Sequence, residues 1–161
     1  MANVDKNQAV IDFLITCPQI QSNPLFFNFG NPKDNNAQLM AVANEKQLHK
    51  PFLDGSVEKQ YTFTVMDFKS ISYFAVVKDP QYLNENVEDM MDVQAIIDWV
   101  TEQNDIRNFP DFGEDCFIDS MEALTDNPNL NSIDTSVTPA LARYSFSVRI
   151  TYIDKSKTIW R

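Results

Sequence analysis

From Ala142 to Tyr152 every even position is apolar (Ala142, Tyr144, Phe146, Val148, Ile150, Tyr152), and every odd position between them is polar. A period of two over eleven residues fits a strand with one face buried and one face wet, as in an antiparallel sheet. Such a strand needs a covering layer, and one amphipathic segment fits that role. Met90, Val93, Ile97 and Val100, with Ile96 beside them, recur at helical spacing and make a single apolar stripe. Asn86 reads as its N-cap, with Glu88 and Asp89 in the first turn, where the helix dipole favours acids. Glu88, Asp92 and Glu102 fall on the opposite face. The expected core therefore joins Ile96, Ile97, Trp99 and Val100 to Phe146, Val148 and Ile150.

The remaining elements are shorter. Asp5 to Thr16 starts with a capping residue and spaces Ala9, Val10, Phe13 and Leu14 helically, and Pro18 is read as the stop. Residues 25–29 and 38–43 are short apolar runs that read as strands on either side of a turn-rich stretch. Asp54-Gly55 is a turn pair, because glycine tolerates positive φ. It feeds a half-buried strand in which Tyr61, Phe63 and Val65 alternate with polar residues. Ser70 to Val77 reads as a further β-rich run, Asp105 to Gly113 as a loop, Asp115 to Ala123 as another strand, and residues 125–136 as a polar connection. The resulting order is α-β-β-β-β-α-β-β. This is an α+β domain with a mostly antiparallel sheet, an N-terminal helix and a second helix packed on it.

At 161 residues the chain fits one domain over residues 1–161, large enough to fold without a disulfide or metal. Its 13 basic and 23 acidic residues give a net charge of −10, which argues against a wrapped nucleic-acid partner or an anionic membrane surface. The start, MANVDKNQAV, has no apolar core behind a basic end, so no secretory signal is expected. The uncharged stretch 13–32 is broken by Pro18, Pro24 and Pro32, which argues against a spanning helix. Cys17 and Cys116 are expected to be two buried thiols.

No catalytic set emerges. Asp111-Phe112-Gly113 spells a kinase magnesium motif, but the glycine-rich and His-Arg-Asp loops that must accompany it are missing. His49 is the only histidine, so no histidine-based metal cluster can form. The run Asp126 to Asp134 lacks the central Gly and terminal Glu of a calcium loop. No cofactor, metal or catalytic residue is expected.

Three stretches in order, KPFLDGSVEKQYTFTV (50–65), VQAIIDWVTEQN (93–104) and ALARYSFSVRITY (140–152), together with FLITCPQI near the start, resemble the tail-terminator or tail-completion proteins of bacteriophages of Gram-positive bacteria. These are also labelled minor capsid proteins. The resemblance implies a structural virion subunit, assembled in the host cytoplasm as a homo-oligomeric ring, most simply a hexamer. The ring would cap the head-proximal end of the tail tube, end tube polymerisation and form the joint to the neck or head-completion protein. DNA would pass through it without specific binding. Within that reading, Lys50, Phe52, Leu53, Asp54, Gly55 and Ser56 are the candidate interface residues. Glu88, Asp92, Glu102, Asp111, Glu114 and Asp115 are the candidate channel-facing acids, since a carboxylate lining repels phosphates. Another head–tail connector, a tail-tube protein or a small cytosolic acidic ligand-binding domain are the alternatives.

Overall fold

A computed structural model describes residues 5–21, 25–28, 36–42, 50–70, 80–136 and 140–158, without the side chains of residues 42 and 80–88. The elements in chain order are α1 (Lys6–Leu14), α2 (Pro18–Gln21), β1 (Leu25–Phe27), β2 (Ala37–Val42), β3 (Lys50–Pro51), β4 (Val57–Ser70), α3 (Pro80–Asp105), β5 (Cys116–Ala123), β6 (Asn129–Asp134) and β7 (Leu141–Asp154). This is the expected α+β class.

The frame is a pair of 14-residue antiparallel strands, β4 and β7, matched residue for residue from Val57↔Asp154 to Ser70↔Leu141. Fourteen residues at a strand rise give a ribbon about 45 Å long. The sheet order is β1-β2-β4-β7-β5, with β3 beside the start of β4 and β6 beside the start of β7. Pairing is antiparallel except for β1 on β2. The alternation read from β7 holds, because Ala142, Tyr144, Phe146, Val148, Ile150 and Tyr152 are all buried. Opposite them Phe63 and Val65 of β4 complete the apolar face.

Helices cover this face. Asp5 caps α1 by accepting hydrogen bonds from Asn7 N (2.9 Å) and Gln8 N (3.4 Å), and Val10, Phe13 and Leu14 point into the core. Val93, Ile96, Ile97 and Val100 of α3 join the same core as Phe146, Val148 and Ile150. Trp99 packs against this core from its margin: it is half-buried and stacks on Phe13 of α1, with ring centroids 4.9 Å apart. α3 thus holds α1 as well as the sheet.

Several expectations need correction. α3 begins at Pro80, not after Asn86, because proline is a good first helical residue: its missing N–H would be unpaired there anyway. Met90 is 40% exposed, since the sheet's helix-facing row passes from Phe63 and Val65 to Asp67 and Lys69 at that end. Pro18 follows the end of α1 but also opens α2. Residues 129–134, read as part of a polar connection, form the edge strand β6, all of it exposed. No apolar alternation marked that strand. Cys17 is buried, but Cys116 is only partly so. The strand expected over Ser70 to Val77 begins in β4, and its residues 71–77 lie outside the described residues, as does His49.

Candidate interaction surface

The turn between β3 and β4 is built from short-range hydrogen bonds. Phe52 N donates to Ser56 O (2.9 Å) and Gly55 N to Phe52 O (3.1 Å). Asp54 Oδ1 accepts from both Ser56 N (2.9 Å) and Ser56 Oγ (2.6 Å), which holds the Asp54 carboxyl below its ordinary pKa. Gly55 sits at φ +90°, and a Cβ there would lie 2.6 Å from the carbonyl oxygen of Lys157. Only glycine fits that approach. The turn is therefore fixed against the chain that leaves β7.

This fixed turn presents an apolar tip. Leu53 is 103% exposed and Phe52 45%, whereas Ser56 behind them is buried. Lys50 projects into solvent 3.8 Å from Glu58. A shallow recess of about 510 Å³ lies beside the turn, lined by Phe52, Leu53, Asp54, Ser56, Ile153 and Lys155. So the six residues singled out from the sequence do form one structural unit.

Residues that no sequence pattern singles out extend that end of the molecule. Arg107 stands at φ +57° just past α3. Asn108 N donates to Gln103 O (2.9 Å) and Arg107 N to Asn104 O (3.1 Å), a closing turn that glycine usually makes. The guanidinium lies 5.3 Å from the Phe109 ring centre and 5.8 Å from that of Phe117, and Lys155 Nζ is 5.6 Å from Phe117. Arg107 also donates to the carbonyls of Ile118 (3.2 Å) and Asp119 (3.4 Å). Its left-handed conformation has no sequence signature, so this aromatic–cation cluster was not legible.

The six acids do not form one cluster. Glu88, whose side chain lies outside the described residues, Asp92 and Glu102 are spread along α3. Asp92 lies 3.7 Å from Lys69 Nζ, which also stands 3.8 Å from Asp67, so this acid is an anchor for a buried lysine as well as a surface charge. Asp111 is in the loop after α3, where its carboxylate accepts from Gly113 N (2.9 Å). It lines a groove with Asp5 and Asp12 of α1. Glu114 is exposed, and the backbone carbonyl of Asp115 accepts from Lys155 N (2.7 Å).

At the sheet end, burial opposes the charge of Asp154, but bonds from Ser156 and from Lys59 Nζ (2.9 Å) outweigh it and bring its pKa down to about 2. Burial pushes Tyr61 and Tyr152 up to about 12, with Asp5 adding to the first and Cys116 and Asp154 to the second. No three His, Cys, Asp or Glu side chains among the described residues are placed to hold a metal. No described helix is long and apolar enough to cross a membrane. No family model and no curated protein matches the chain.

Proposed function

We propose that this chain is a structural subunit of a phage tail or tail-like particle, a terminator that assembles as a ring on the head-proximal end of the tail tube. The observation that carries the reading is the β3–β4 turn: two large apolar side chains, Phe52 and Leu53, held in water on a rigid, hydrogen-bonded support. A flexible loop could fold such residues inward; a fixed one marks a docking contact. The turn lies in the longest of the stretches that carry the family resemblance. Phe117 and Arg107 add an aromatic and an arginine, residue types enriched at protein interfaces. In this reading the turn meets a neighbouring subunit or the tube, and the acids of α3 and the 111–115 loop face the DNA path.

The full-length protein, studied by light scattering and negative-stain microscopy alone and mixed with the particle's tail-tube protein, tests this. A closed ring that caps tubes and stops their growth is expected. Leu53→Asp should abolish capping while leaving the melting temperature unchanged. Long filaments from the protein alone would make it a tube protein instead. A monomer at every concentration that never binds tubes would overturn the proposal.

A further inference from the structure

We infer that the groove between α1 and the loop after α3 is a receptor for the segment Ile159-Trp160-Arg161 of a second copy of this chain. The groove, of about 420 Å³, has two kinds of wall. Phe13, Phe109 and Pro110 make it apolar, while Asp5, Asp12 and Asp111 make it acidic, and none of the described residues lining it is basic. Lys6, the nearest base on α1, points instead to the rings of Phe112 and Tyr152, 5.8 and 5.5 Å from their centres. Among the described residues the three carboxylates take only local bonds: Asp5 from the start of α1, Asp12 from Gln8 Nε2 (2.8 Å) and Asp111 from Gly113 N. Each carboxylate has further acceptor sites for a cation. A ligand suited to this groove carries an aromatic group with positive charge beside it.

One stretch of the chain joins a tryptophan to several bases. Residues 155–161, KSKTIWR, hold three bases, Ile159 and Trp160, and no acid. The other tryptophan, Trp99, has no base within four residues and is already stacked on Phe13. Trp is the strongest anchor for an apolar interface pocket, and Arg pairs carboxylates through its planar fork. The backbone up to Thr158 is committed within its own subunit: Lys155 N is bonded to Asp115 O (2.7 Å), Thr158 N to Lys155 O (3.1 Å), and the carbonyl of Lys157 is packed beside Gly55. The segment thus departs beside the β3–β4 turn, while its receptor lies on the helix side. Donor and acceptor on different parts of one subunit give a head-to-tail contact, which closes into a ring or runs on as a filament. This inference concerns self-association by any route and does not require the ring to sit on a tail.

The test uses three full-length proteins: the unaltered chain, a tail variant (Trp160→Ala with Arg161→Glu) and a groove variant (Asp12→Lys with Asp111→Lys). Sedimentation should show self-association weakened at least tenfold in each variant, with complexes restored when the two are mixed, since one keeps the groove and the other keeps the tail. A synthetic peptide, KSKTIWR, should bind the tail variant saturably and bind the groove variant at least tenfold more weakly. The peptide arm reads the groove even if assembly proceeds through other contacts. Association unchanged in both variants, or equal peptide binding to both, overturns the inference. Burial of Trp160 that persists at every dilution of the unaltered protein also overturns it, because the segment would then fill the groove of its own subunit.

Discussion

Gly55→Ala tests whether the exposed turn is rigid by construction. Gly55 lies at φ +90°, where an L side chain costs about 1–2 kcal/mol. The added methyl would sit 2.6 Å from the Lys157 carbonyl oxygen, far inside van der Waals contact. That oxygen belongs to backbone, so relief must come from moving the whole 155–158 turn, which is tied down at Asp115 (2.7 Å) and Lys155 (3.1 Å). Weakening those two bonds adds about 1 kcal/mol. The expected total is about 2–3 kcal/mol, or a fall of roughly 5–10 °C in melting temperature for a domain of this size. Urea denaturation followed by circular dichroism would measure it. Leu53→Ser, two residues away on the same turn, serves as the control: its side chain lies wholly in solvent, so stability should move by less than about 0.5 kcal/mol. A Gly55→Ala midpoint equal to that of the unaltered protein would refute the close approach and, with it, the rigidity on which the proposed docking role of Phe52 and Leu53 rests.

Four further outcomes are expected. Phe146→Ala should cost about 3–5 kcal/mol, because Phe146 is buried under α3; a loss below about 1 kcal/mol in the same denaturation would mean the wrong face of β7 had been assigned. Lys69→Ala should cost about 3 kcal/mol, since it leaves the buried Asp67 carboxylate without the ammonium 3.8 Å away. In a double-mutant cycle with Asp67→Ala, losses that simply add would exclude coupling between the two. Asp154 has a folded pKa depressed from 3.8 to about 2, so its stabilisation is complete above the ordinary carboxylate value and is lost as pH falls from about 4 to about 2. Because the pair still touches solvent, about 1 kcal/mol is expected after solvent screening, and Lys59→Ala should shrink that acid-side loss in a pH series of melts. Glu102→Lys should leave assembly intact and slow DNA delivery from assembled particles; normal delivery would remove this carboxylate from the DNA path.

The parts of the fold that were legible are those where one periodicity meets one buried face. β7 reads directly because its even positions from Ala142 to Tyr152 are all buried, while of the odd positions between them only Ser145 is, and the Val93–Val100 stripe reads because it packs on the even face. Legibility failed where a backbone contact replaced a side-chain pattern. β6 forms because the start of β7 has an open edge to pair with, from Asn129↔Ser145 to Asp134↔Leu141, and edge pairing demands no apolar alternation. The early start of α3 reflects Pro80, since a proline opens a helix or breaks one according to its position in the turn. The Asp54-Gly55 turn was visible as a turn, but not its clasp on Lys157, which joins residues a hundred positions apart. The acidic groove was invisible for a similar reason: Asp5 and Asp12 belong to the first helix and its cap, and Asp111 to a loop far along the chain.

Charge and apolar surface do different work in this molecule. Between Asp79 and Asp134 there are fifteen acids and one base, Arg107, whereas residues 135–161 hold five bases and one acid. Exposed ion pairs contribute about 0–1 kcal/mol each, so this segregation cannot by itself hold copies together. It can set which faces meet and how fast, because complementary potentials steer encounter and disfavour like-charged docking. In the proposed assembly, holding power must come from apolar contact, and the exposed apolar side chains at the hairpin end are Phe52, Leu53 and Phe117. Not every acid is free to serve an interface. Asp92 lies 3.7 Å from Lys69, so reversing its charge would set two cations face to face at the edge of the core and damage the fold before it altered any partner. Glu102 and Glu114 are exposed and, among the described residues, make no such attachment to the core. They are the acids whose charge can be changed to test the proposed assembly and DNA path separately from stability.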